Sequence, residues 1–439
     1  MRSPFRLRAP VVLPCDPACS VLRDAVLDVG ADGRIGYCGP AHAAPPEPEL
    51  VQDLPGILLP GLVNAHAHSP MTVLRGMGGD LPLLRWLHEV IWPAEASLTP
   101  ADIEAGMLLG SVEMLRAGVT TSTEMYFHGD ALVRAVLASG ARLVATMAIL
   151  DAPAWDWRGM LESINAWIDV DGLRHGPDER IEVGYGPHSA YTLPPEALTM
   201  IGEAARARNA LVQIHVAESA AEDAVQRERY GSVPAMLDQL GLLGGRVLAA
   251  HAVHLSDADI ETFARAGTAV AHCPGSNAKL ASGIARLRDL RAAGVVVGLG
   301  TDGPASNDDL DLWEEMRLAA LLARLSTMDS AALSGVDALL MSTRGGAQAL
   351  GRDDIGALEA GRWADLVHVD VDDPAFTGGL DVPDRQVLAN LVWAAGSRVV
   401  RDVWVAGERV VAGRETTRVD RARVQAEASA VTQRLLSAG

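Results

Sequence analysis

Gly61-Leu62-Val63-Asn64-Ala65-His66-Ala67-His68 is the stretch from which the rest of the chain is read. An apolar run at 57–59 leads through Pro60-Gly61 into a strand that ends on two histidines spaced by one residue. Residues i and i+2 of a strand point to the same face. His66 and His68 therefore aim two imidazoles at one point, as a metal ion requires. Taken alone, His-x-His is a weak signal and also fits two unrelated histidines at a strand end. The later strands carry the decision.

Working outward, strand-like apolar runs fall at 57–64, 119–125, 142–149, 181–186, 211–216, 247–250, 268–271 and 295–300. Amphipathic stretches at 101–117, 130–139, 195–209, 233–240, 257–266 and 285–293 lie between them. Strands alternating with helices imply a parallel sheet. Eight such units make an α/β fold of the (β/α)8 TIM-barrel type. A doubly wound open sheet is the alternative, but no Gly-x-Gly-x-x-Gly follows the first strand. The flanks differ in texture, with short β-rich runs and turns such as Ala31-Asp32-Gly33-Arg34 and Ala406-Gly407-Glu408. The expected organisation is a barrel over 57–356, a small composite β-sandwich built from 1–56 and 357–416, and a C-terminal helix within 417–439.

Across 439 residues the chain is 49% hydrophobic and carries a net charge of −19. That charge argues against nucleic acid or an anionic membrane as a partner. No uncharged apolar run of about 18 residues offers a membrane span. The N-terminal apolar run is broken by Pro10, Pro14 and Asp16, unlike a signal peptide. Four cysteines do not make a disulfide scaffold, and Cys15 and Cys19 have no second pair to complete a zinc knuckle. A reducing, cytoplasmic setting is expected, with a homodimer or higher homo-oligomer left open.

In a barrel of this type the active site lies at the C-terminal ends of the strands. Strand 1 ends on His66 and His68, strand 4 on His188, strand 5 on His215, strand 6 on His251 and strand 8 on Asp302. His66, His68, His215 and Asp302 form an N3O set suited to one divalent ion, Zn2+ first and Fe2+ second, with a position left for water. Asp302 closes a run so apolar that an unpaired carboxylate there would be costly; capping the next helix is its other reading. Glu218, three residues past His215, reaches over the metal as a proton donor, against the alternative of a solvated loop glutamate. His251 can bond a reacting oxygen, while His254 and His272 read as structural. The only lysine, Lys279, lies after strand 7, and strand 4 ends in Gly186-Pro187-His188-Ser189. A carboxylated lysine bridging two metals has no candidate there, so a single ion is expected.

These motifs, with Leu74-Arg75-Gly76, His215-Val216-Ala217-Glu218, His272-Cys273-Pro274-Gly275-Ser276-Asn277-Ala278-Lys279-Leu280 and Gly300-Thr301-Asp302-Gly303-Pro304-Ala305-Ser306-Asn307, make the chain resemble the amidohydrolase superfamily. Within it the resemblance is to the single-metal deaminases of 5′-methylthioadenosine and S-adenosylhomocysteine, with the triazine hydrolases close by. It implies that His66, His68, His215 and Asp302 hold the metal. It further implies that Asp302 takes a proton from the water activated there, that His251 orients that water, and that Glu218 serves the ring nitrogen. It assigns Glu95 to the ribose hydroxyls, His188 to a purine nitrogen and Trp86 to the pocket wall. Two arginines that hold the carboxylate of S-adenosylhomocysteine in such relatives align with Met147, which cannot pair with it, and with Arg158.

The expected activity is hydrolytic deamination of an adenosine-type nucleoside (5′-methylthioadenosine, 5′-deoxyadenosine, adenosine or S-adenosylhomocysteine) by attack of hydroxide on C6. The product is the inosine analogue plus ammonia. The alternative is an amino- or chlorohydrolase of an s-triazine, guanine or related base, for which Glu95 has no clear task. A third reading, a binding module on a degraded site, conflicts with the intact ligand and acid–base set.

Overall fold

A computed structural model describes residues 2–152 and 155–438, without the side chains of Asp223 and Ala438. Eight parallel strands follow one another around the barrel: Leu62–Ala67, Val119–Glu124, Arg142–Ile149, Ile181–Pro187, Val212–Val216, Val247–His251, Ala269–His272 and Val297–Leu299. Every residue in them is buried, because helices cover the outer face while side chains fill the interior. The ring closes where Ala67 bridges Asp302, with the Asp302 amide donating to the His66 carbonyl at 3.0 Å.

The first barrel strand starts later than the apolar run suggests. Ile57–Pro60 belongs to the sheet made by the chain ends, pairing with Val11 and Val12 on one side and with Leu366–Val369 on the other. Hydrophobicity cannot separate the two strands because both are fully buried. The break is Gly61, where a Cβ would overlap the Thr120 side chain. The chain ends form one connected, mixed nine-stranded sheet. Its own core includes Leu7, Leu27, Ile35, Leu366 and Trp404.

Arg142, at the start of the third barrel strand, joins the two bodies by a bidentate pair with Asp365, both bonds 3.0 Å long and buried. Nearby, Glu182 receives Arg174, Arg246 and Arg352 at 2.7–3.0 Å. Removing one member of such a buried cluster leaves an uncompensated charge, at a cost of roughly 3–5 kcal/mol. These groups lie at the N-terminal ends of strands, the pole that serves stability rather than chemistry. The last helix, Arg421–Ala438, lies against Pro100–Arg116, tied by Arg434 to Asp102 at 2.6 Å. Among the described residues, no helix is long and apolar enough to cross a membrane.

Candidate active site

At the C-terminal pole the sequence-selected ligands converge. His66, His68, His215 and Asp302 each offer one ligand atom, all four within 4.8 Å of one another and all buried. His68 Nδ1 donates to the Met125 carbonyl and His215 Nδ1 to the His188 carbonyl, both at 2.7 Å. A carbonyl can only accept, so each Nε2 is left facing the shared centre. The two Nε2 atoms stand 3.3 Å apart. Asp302 Oδ1 lies 3.3 Å from His66 Nε2 and 3.2 Å from His68 Nε2. Among the described residues neither ring nitrogen of His66, which is fully buried, makes a well-formed hydrogen bond; Nε2 has only the Asp302 carboxylate beside it. A divalent cation at this centre would satisfy the orphaned imidazole and separate the facing lone pairs, so the residues fit the metal.

The electrostatics agree. Burial pushes His66 down to about 4 and His188 to about 3, which keeps both neutral. Burial also lowers His68, but its bonds to Asp302 and the Met125 carbonyl outweigh this and raise it to about 9. A proton there stands where a cation belongs. Burial alone would raise Asp302; the His66 and His68 imidazoles overcome it and hold the carboxyl well below the usual range. Asp302 Oδ2 accepts from Ser276 Oγ at 2.6 Å and Ser306 Oγ at 2.7 Å, leaving Oδ1 for the imidazoles.

Backbone strain gathers at the strand ends. Asp302 and His251 have φ of 60° and 69°, and Ala217, just before Glu218, has 49°. Non-glycine residues in the left-handed region cost of order 1–3 kcal/mol and cluster at functional sites. Here the strain turns three side chains inward. Burial raises Glu218 above the usual carboxyl range. Its Oε2 lies 3.9 Å from His251 Nε2. His251 Nδ1 meets Asn277 Oδ1 at 2.9 Å, which leaves Nε2 toward the cavity. Glu124 accepts from both the amide and the hydroxyl of Ser69, at 2.8 and 2.6 Å, fixing the turn just after His68.

The site opens into a cavity of about 500 Å3. His188, Glu218 and His251 line its floor, and Trp86 and Glu95 enter from the helical segment after the first strand. The Trp86 indole is anchored to the Met77 carbonyl at 3.1 Å. Burial raises Glu95 to about 7. Met147 and Arg158 do not line this cavity. Met147 borders a neighbouring hollow beside Gly129 and Trp167. Arg158, half exposed, pairs with Glu196 at 2.8 Å and covers the Trp157 ring.

Sequence reasoning did not single out Ser276, Ser306, Asn277 or Tyr126. The first three lie inside the quoted 272–280 and 300–307 motifs, but nothing in a linear motif shows which polar residue turns inward. Tyr126 lines the cavity with its hydroxyl buried and facing the Glu95 carboxyl, which it helps to hold down against burial.

The amidohydrolase family model matches residues 57–410, most of the chain. The protein belongs to the amidohydrolase family. This amidohydrolase is 39% identical over 435 residues to a 5-methylthioadenosine/S-adenosylhomocysteine deaminase of Pelotomaculum thermopropionicum, with 98% of both chains covered. It is 40% identical to a 5′-deoxyadenosine deaminase of Methanosarcina mazei, with 97% of both covered. A zinc-bound adenosine deaminase from Xanthomonas campestris superposes with a TM-score of 0.90 at 36% identity, over 99% of this chain and 98% of that one.

Proposed function

We propose that this amidohydrolase removes the 6-amino group of adenosine-type nucleosides, 5′-methylthioadenosine, 5′-deoxyadenosine or adenosine, giving the inosine analogue and ammonia. The carrying observation is one cavity lined by His68, His215 and Asp302 of the four-residue ligand set together with a buried, raised Glu218, with Glu95 on its wall. The names of the relatives support the substrate class. A bound divalent ion, proposed as a single Zn2+, supplies water of hydroxide strength near neutral pH.

The side chains do the rest. His188, kept neutral by burial, meets a purine ring nitrogen. Glu95 accepts from the ribose hydroxyls and so sets the distance from sugar to reacting carbon. Glu218, whose burial favours the protonated form, gives a proton to the ring nitrogen beside that carbon. Asp302 receives the proton released as water adds, and His251 Nε2 holds the incoming oxygen. Asp302 passes the proton it received to the exocyclic nitrogen, the C–N bond breaks to release ammonia as C6 becomes a carbonyl, and the hydroxyl proton shed there restores Glu218. The same division of labour, metal for nucleophile and glutamate for protons, serves zinc deaminases of another fold. The four free cysteines fit a reducing, cytoplasmic setting.

The test is metal analysis of the purified protein together with ammonia release from a panel of adenosine nucleosides, guanine and an s-triazine. Turnover confined to guanine or the triazine would overturn the nucleoside reading.

A further inference from the structure

Glu315 lies in the helix Leu312–Thr327, is fully buried, and has no role in the scheme above. Its two oxygens reach two different loops. Oε2 accepts from the Gly275 amide at 2.9 Å, and Oε1 from Asn307 Nδ2 at 3.1 Å. Gly275 sits in the short helix Pro274–Lys279, whose next two residues are Ser276 and Asn277. Ser276 bonds Asp302 Oδ2, and Asn277 bonds His251 Nδ1. Asn307 directly follows Ser306, the other hydroxyl on Asp302 Oδ2. The fit is close: a Cβ at Gly275 would overlap both the Asn307 amide and the Glu315 carboxyl.

We propose that Glu315 is a positioning residue that braces these two loops, and through Ser276, Ser306 and Asn277 holds Asp302 and His251 in register for proton transfer. A carboxyl group is suited to this because it offers two acceptor oxygens, one per loop, from a single rigid plane. Among the described residues no arginine, lysine or histidine pairs with it, while Asp309 and Glu314 are the acids that act on it. An unpaired carboxyl in so buried a place is unfavourable, and it persists where it performs a task that a leucine of similar volume would not. The proposal rests on the deaminase reading for its kinetic consequence only; the hold on Asp302 is independent of substrate.

The experiment compares metal-loaded wild type with Glu315→Gln, Glu315→Ala and Asn307→Ala. It measures kcat and KM on 5′-deoxyadenosine, the half-life of the bound metal in excess chelator, and the thermal melt. Glu315→Ala and Asn307→Ala should each lose at least tenfold in kcat with KM within threefold, and release metal at least tenfold faster. Glu315→Gln keeps both contacts once the Asn307 amide flips, and should stay within threefold of wild type in both. Folded Glu315→Ala and Asn307→Ala variants with wild-type kcat and metal half-life would overturn the brace. So would a Glu315→Gln variant as impaired as Glu315→Ala. Should Glu315→Ala not fold, Asn307→Ala breaks the same brace from its partly buried end and decides alone. Should wild type deaminate no nucleoside, the functional reading fails while the metal half-life still tests the brace.

Discussion

His68 Nε2 and His215 Nε2 lie 3.3 Å apart, each ring turned toward the other by a bond from its Nδ1 to a backbone carbonyl. Nitrogens facing one another this closely call for a positive charge at the centre, which a proton on His68 supplies until a metal cation takes its place. Exhaustive chelation should abolish turnover and lower the melting temperature, and Zn2+ should restore both. Metal present at a thousandfold its Kd contributes about 4 kcal/mol to folding. Unchanged melting after verified metal removal would contradict the role given to these rings.

In the proposed scheme Glu218 serves proton transfer and holds no metal. Glu218→Gln should retain the bound ion, measured by elemental analysis, and lose roughly 10²- to 10⁴-fold in kcat. Near wild-type kcat on a good substrate would remove it from the scheme.

The wall of the cavity makes a statement about sugars. Glu95→Ala should raise KM for nucleosides while leaving free bases almost unaffected, because each lost bond to a charged acceptor is worth roughly 1.5–3 kcal/mol. Equal damage on substrates with and without ribose would favour a heterocycle hydrolase.

The cavity proposed to take the 5′ end of the substrate offers it no cation. No arginine or lysine is among the described residues lining the cavity, and Arg158 is engaged by Glu196 outside it. A carboxylate there forgoes any bidentate guanidinium partner. In side-by-side kcat/KM measurements, 5′-methylthioadenosine, 5′-deoxyadenosine and adenosine should each exceed S-adenosylhomocysteine. A clear preference for S-adenosylhomocysteine would mean that a basic group enters the cavity on binding.

Burial raises Glu315 to about 8, against about 4.5 for the unfolded chain. Between those values the folded protein holds a proton that the unfolded chain has released, so this group makes stability fall as pH rises from about 4.5 to 8. Glu315→Gln removes that dependence. Melting curves of the two proteins should diverge in favour of the glutamine variant from pH 5 to pH 8, and parallel curves would show that Glu315 stays ionised throughout.

The barrel is largely legible because its strands, covered on both sides, read as apolar runs, and because their ends carry His66, His68, His188, His215, His251 and Asp302 in rotation. Three things are hidden for physical reasons. The start of the first strand is masked, since Leu59 and Leu62 are equally buried in different sheets. Ser276 and Ser306 meet only on the Asp302 carboxylate, 30 residues apart in sequence, and no periodicity links them. Arg158 stands in the first turn of the helix Trp157–Asp171, on its exposed side, where its charge is answered by Glu196 on a neighbouring helix.

Because residues 57–60 pair with Val11 and Val12 on one flank and Leu366–Val369 on the other, the segment that delivers His66 and His68 is held on one side only until residues 366–369 have left the ribosome. Pairing across some 300 residues carries a large loop-closure penalty and is slow. A nascent chain stalled before residue 366 would carry the metal-binding histidines without the sheet that aligns them, exposing an apolar strand to aggregation and to the chaperones that guard against it.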